Sequence, residues 1–186
     1  TENRISSDIS ASIGGTDIFE GDITDSVTAA SVAINASDTA TIESIAGTAS
    51  VAASFAGIAG VSVAIGISTS FNAVDNDVSA YIQDAEVTTT EVDIALSAVS
   101  SAEIEATSAA ASVAIGGALV GVAVSGAGAG AANDIDGSTL AFVDDSQLDS
   151  AADVSISATG NSEIDAQIIS AAASVAGWLV GVGVSI

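Results

Sequence analysis

Val120-Gly121-Val122-Ala123-Val124-Ser125 is the stretch on which the reading of this sequence turns. Gly60-Val61-Ser62-Val63-Ala64-Ile65 repeats it upstream and Val180-Gly181-Val182-Gly183-Val184-Ser185 repeats it downstream. In each copy a β-branched residue alternates with Gly, Ala or Ser, which is the two-residue period of a strand. Each copy also sits in an uncharged run: Ser44 to Val74, Ala106 to Asn133, and Ala166 to Ile186. All three runs exceed the roughly 20 residues of a membrane-spanning helix, and Gly117 with Gly121 and Gly177 with Gly181 have a G-x-x-x-G spacing. A helical membrane protein is therefore the lesser alternative. The alternation, the Val and Gly content and the lack of flanking Lys or Arg favour strands.

As strands the runs have two unlike faces. Val61, Val63, Ile65 and Ile67 point one way; Ser62, Ala64, Gly66 and Ser68 point the other. The branched face is expected in the interior. The small face would either meet another copy in close packing or be covered by a second layer of the same chain.

Working outward, the chain repeats itself. Ala80-Tyr81-Ile82 aligns with Ala141-Phe142-Val143 at an offset of 61, and with Ala11-Ser12-Ile13 at an offset of 69. Thr41-Ile42-Glu43, Glu103-Ile104-Glu105 and Glu163-Ile164-Asp165 form a second anchor at offsets of 62 and 60. The units run 1–69, with a polar insertion near 19–30, then 70–130 and 131–186. Polar turns are expected at Asn72 to Asp77 and Asn133 to Ser138, followed by strands Val78 to Ile82, Glu86 to Thr89 and Val92 to Ser97. The expected fold is all-β: a parallel β-solenoid, β-helix-like, of three tandem units of about 60 residues in one continuous array, each unit supplying roughly three rungs. On this alignment Thr1 corresponds to Ser70 and Ala131, and the third unit stops a few residues short. Head-to-tail addition of copies is the expectation.

Composition narrows the chemistry. Asp plus Glu number 24 against a single cation, Arg4, for a net charge of −23. Such a surface repels phosphate backbones and anionic headgroups, so neither nucleic acid nor a membrane is an expected partner. Cys, His, Met and Pro are absent, which removes disulfides, thiolate nucleophiles, imidazole bases and nitrogen-and-sulfur zinc sites. A chain rich in Ser, Thr, Asp, Gly and Ala with almost no Lys points to an extracellular or cell-surface location.

The carboxylates are the only reactive inventory. Asp75, Asp77, Asp134, Asp136, Asp144 and Asp145 are candidate oxygen ligands for calcium. Glu43, Glu105 and Asp165 should form a row in stacked units, and rows of like charge call for water or a cation. Asp144 and Asp145 are neighbours, so on a strand they face opposite ways and cannot flank one glycosidic bond. No enzyme activity is expected. Tyr81 and Phe142 are expected to stack within the solenoid, and Asn35-Ala36-Ser37 is an N-x-[ST] sequon. Trp178, Leu179, Val180, Val182, Val184 and Ile186 are the expected self-assembly surface, with Trp178 either filling the core or plugging the joint between copies.

Ala80-Tyr81-Ile82-Gln83-Asp84-Ala85-Glu86-Val87, then Val92-Asp93-Ile94-Ala95-Leu96-Ser97-Ala98, an Ile-centred segment and a Gly/Ala/Val run together resemble the tandem units of giant repetitive bacterial surface proteins of the filamentous-haemagglutinin and large-adhesin type. The resemblance spans the whole chain. It implies a right-handed parallel β-solenoid, export, and a fibrous or adhesive role without enzyme activity. The expected function is a structural subunit or segment of an extracellular fibre that assembles head-to-tail through strand stacking and small-residue apolar faces. The alternative is an adhesin stalk whose loops, such as Phe19 to Thr28, meet a glycan or host protein.

Overall fold

The computed structural model describes residues 1–14, 25–177 and 179–186. They form eleven strands: β1 (Glu2–Ile13), β2 (Asp25–Ala29), β3 (Val32–Phe55), β4 (Ala59–Gln83), β5 (Ala85–Thr89), β6 (Ile94–Gly117), β7 (Val120–Asp136), β8 (Thr139–Asp144), β9 (Gln147–Asp149), β10 (Val154–Ala176) and β11 (Val180–Ser185). Every pairing is parallel. One long sheet has the order β1-β4-β7-β11, with β8 also on β4; a second has β3-β6-β10; a short third has β2-β5-β9. This is a parallel β-solenoid, and no helix is present among the described residues, which overturns the helical membrane alternative.

The middle coil runs out along β4, crosses through β5, returns along β6 and turns tightly at 118–119 into the next coil. Strand register equals the repeat offset: Ala11 lies beside Ala80 and Ala80 beside Ala141, while Thr41, Glu103 and Glu163 form one row. A sixty-residue unit is therefore one wide coil, where about three rungs were expected. The reason is strand length. The stretch Asn72 to Asp77, expected to be a turn, lies inside the 25-residue β4, and Asn133 to Asp136 lies inside β7. The strand runs on through Asn72 and Asn133 because stacking pairs their side chains, while the Asn76 amide donates across to Asp38. The Asn3 amide donates to the Asn72 side-chain oxygen at 2.8 Å, and the Asn72 amide donates to Asn133 at 2.7 Å, forming an inward asparagine ladder.

The coil is wedge-shaped in section, with a thick end and a thin end. At the thick end the short sheet holds the two long sheets apart. The space is filled by Val32, Ile34, Val78, Ile82, Val87, Ile94 and Leu96. Complete burial of a side chain such as Ile82, Ile94 or Leu96 contributes about 1.5–3 kcal/mol each. Ala40, Ile42, Val74, Ala102 and Ile104 continue this core toward the middle of the coil. At the thin end the long sheets converge on the tight turns, and only Ala64, Ala114 and Ala123 make a core cluster. A Cβ added to Gly66 would lie 2.6 Å from the Ala111 carbonyl oxygen, and one added to Gly121 would lie 2.9 Å from that of Gly116. There is no room for a branched side chain between backbones this close.

That spacing reverses the expected orientation of the branched face. Even-numbered residues of β4 point inward along its whole length. At the thin end these are Gly60, Ser62, Ala64, Gly66, Ser68 and Ser70; at the thick end they include Val74, Val78 and Ile82. Val61, Val63, Ile65 and Ile67 therefore face outward, at 66%, 55%, 65% and 67% exposure. The small face is the one covered, by the second sheet of the same chain.

Candidate functional site

The six carboxylates singled out as calcium ligands divide between one stretch of the outer face and a distant corner, and no group of three or more side chains that could hold a metal ion comes together among the described residues. Asp75 and Asp136 are register partners on the outer face, and Arg4 approaches Asp75 at 3.6 Å. Both members of that pair are largely exposed, so its contribution is small. Asp134 lies on the same outer face, two residues along β7 from Asp136. The Asp136 carboxylate accepts the Gly137 amide at 2.8 Å, closing a turn. Asp77 accepts both the Ser138 amide at 2.8 Å and the Ser138 hydroxyl at 2.6 Å. Those two hydrogen bonds, the hydroxyl's first, hold its pKa below the usual aspartate value.

Asp144 and Asp145 sit far from this group, at the corner where the long sheet passes into the short one. Asp145 and its equivalent Asp84 have φ of 43° and 51°, a left-handed conformation that Asp tolerates better than branched residues do. Both are turn formers. A cavity of about 210 Å³ near the middle of the coil is lined by Asn76, Ser100, Gly137, Gly160 and one carboxylate, Asp136. It holds no second carboxylate to serve as an acid–base partner.

Rows of like charge do form. Glu43, Glu105 and Asp165 are register partners on the outer face. Tyr81 and Phe142 stack at 5.1 Å between centroids with a 4° interplanar angle. They stand on the outer face, odd on β4 and even on β8, whereas the sequence reading places them within the solenoid.

The expected self-assembly residues divide in a similar way. Val182, Val184 and Ile186 lie on the outer face, Val182 and Val184 beside Val122 and Val124. Leu179 joins Ile58 and Leu119 at the exposed tip of the thin end. Trp178 and the side chain of Val180 lie outside the described residues, as do residues 15–24, which include most of the loop Phe19 to Thr28; Asp25 to Thr28 belong to β2.

Two features were not anticipated from sequence. One is the asparagine ladder, whose signal was Asn at positions 3, 72 and 133, at the repeat offsets. The other is the state of the outermost coil. Ile156 and Ile164 on the inner face of β10 are each 47% exposed, although their register partners Leu96 and Ile104 on β6 are fully buried. β3 and β10 each pair on one side only, so unpaired backbone edges of the same register face both ways along the stack. No protein-family model, curated protein or solved structure matches the chain.

Proposed function

We propose that this chain is a structural, self-stacking segment of an extracellular or cell-surface fibre, in which further coils, from another copy or from the same polypeptide, continue its sheets. The half-exposed inner face of β10 carries the reading. Ile156 and Ile164 belong to columns that are buried one coil below, and only another coil can bury them. The free edges of β3 and β10 offer backbone donors and acceptors in the parallel geometry already used between coils. The edges of β3 and β10 share one register on β6, so addition can repeat in one direction and builds open filaments instead of closed rings. The resemblance to repetitive bacterial surface proteins and the low-Lys, acidic composition support an exported setting.

Electron microscopy with sedimentation of the purified chain tests this. Unbranched filaments whose axial repeat is a multiple of about 4.8 Å are expected. Ile156→Lys with Ile164→Lys should leave the circular dichroism of a folded β protein and prevent elongation, because each site is tolerant in a terminal coil and closed in a buried one. A chain that stays monomeric at high concentration overturns stacking between copies, and elongation with both lysines present overturns the role given to the inner face of β10.

A further inference from the structure

The thin end turns the usual order of a soluble protein inside out. Its interior is mostly Gly, Ala and Ser, while its most exposed large side chains are Val, Ile, Leu and Phe, set on the outer faces among smaller residues. This apolar exterior is not a patch on one side. It covers the outer face of the first long sheet (Val61, Val63, Ile65), the outer face of the second (Ile45, Val51, Phe55) and the tip between them (Ile58, Leu119). No Asp, Glu, Lys or Arg occurs between Glu43 and Asp75, between Glu105 and Asp134, or from Ala166 to Ile186; among the described residues every charged side chain lies toward the thick end.

We propose that the thin end inserts into the hydrocarbon layer of a lipid bilayer, leaving the acidic thick end in water. A protein partner docks on one side, whereas this surface runs round two faces and a tip, which suits a medium that surrounds it. The dimension agrees: Ala59 to Ile67 is nine residues of strand, about 30 Å at about 3.3 Å per residue, matching the thickness of a bilayer's hydrocarbon core. The alternation of apolar-outward with small-or-polar-inward residues is the pattern of lipid-facing strands.

Lipid offers no hydrogen bonds, so inserted backbone needs partners within the protein, and the parallel ladders between coils supply them along the strands. At the tip, the Ala56 amide donates to the Gly117 carbonyl at 2.9 Å, the Val120 amide to Ile58 at 3.0 Å and the Gly177 amide to Gly116 at 2.8 Å. The tight turns are thus stitched from coil to coil. Edges of the outer coils would be met by further coils, and in this respect the inference rests on the stacking proposed above. The net charge of −23 sets the lipid: a zwitterionic bilayer, not an anionic one.

The test is flotation of the full chain with phosphatidylcholine vesicles, joined to site-specific fluorescence. The sequence has no Cys, so Leu119→Cys, Val63→Cys and Glu105→Cys each carry a single environment-sensitive label. With vesicles, the labels at 119 and 63 should shift to the blue and be quenched by chain-labelled lipid, while the label at 105 does neither. Val63→Lys with Val124→Lys, both on the outer face, should retain β circular dichroism and lower the vesicle-bound fraction at least about tenfold. Protein that remains at the bottom of the gradient overturns the proposal. So does a label at 119 that is shielded by rising protein concentration without lipid, since a second copy would then be the occupant. Filaments that ignore vesicles would refute insertion and leave stacking intact, whereas flotation of unstacked chains would do the reverse.

Discussion

Along β4, Val74, Val78 and Ile82 point into the thick end, and ten or so residues earlier on the same unbroken strand Val61, Val63, Ile65 and Ile67 point out of the thin end. The backbone keeps one parity throughout, so it is the residue pattern that changes phase, between Phe71 and Val74. The cause is the distance between the two long sheets. Where β5 separates them, branched side chains fill the gap; where the turn at 118–119 brings them together, only Gly, Ala and Ser fit. Hydrophobicity alone therefore does not assign the inside of a strand. The volume available between sheets decides it.

Substitution can break this comparison most severely at the thin end's interior. Gly66→Val puts a branched side chain where even a Cβ meets backbone at 2.6 Å, and should abolish cooperative folding of the thin end, seen as lost amide-exchange protection in β4 and β6. Next come opposite responses to the same truncation. Leu96→Ala and Ile104→Ala at buried positions should each lower stability by about 2–5 kcal/mol in denaturant titrations. Val63→Ala on the outer face should change it by less than about 0.5 kcal/mol in lipid-free buffer. Equal losses at both ends would mean that Val63 is buried.

Smaller effects sharpen the picture. The hydroxyls of Ser62, Ser112 and Ser125 are buried without a hydrogen-bond partner. Ser→Ala at each should be neutral or stabilising by up to about 1 kcal/mol, because the cost of desolvating the hydroxyl disappears while the small volume is kept. On the thick half, Glu105→Gln relieves the row with Glu43 and Asp165 and should raise stability by about 0.2–1 kcal/mol, less at high salt. Asp77 gives the smallest change. Its folded pKa is lowered, so its contribution is present above the unfolded value near 3.8 and is lost as pH falls through the folded value. Ser138→Ala should bring that pKa back up toward 3.8 in a carboxyl NMR titration; an unmoved pKa would mean that the hydroxyl is not a donor.

Much of the architecture could be read from sequence. Offsets of 60 to 69 between Ala11, Ala80 and Ala141, and between Thr41, Glu103 and Glu163, reappear as strand register, because stacked parallel strands place repeat-equivalent residues side by side. The size of the coil was not legible. Asn72 to Asp77 has turn composition, and nothing local shows that the Asn72 side chain is paired with Asn3 and Asn133, 69 and 61 residues away. The facing of the branched residues was lost for a related reason: alternation gives two faces and leaves their assignment to sheet spacing, a tertiary quantity. The carboxylates were legible as residues on turns and outer rows, but composition could not reveal that Asp75 and Asp136 pair on one face while Asp144 and Asp145 sit at a distant corner. Among them Asp145 has a conformational role that only its positive φ discloses.

The central claim is that the small residues of the thin end are inside and the branched ones outside, and thiol labelling tests it directly. In dispersed, lipid-free protein, Val61→Cys and Val63→Cys should react with maleimide at nearly the rate of the unfolded chain, and Ser62→Cys should react only after denaturation. A reactive Ser62→Cys beside protected Val61→Cys and Val63→Cys would contradict it.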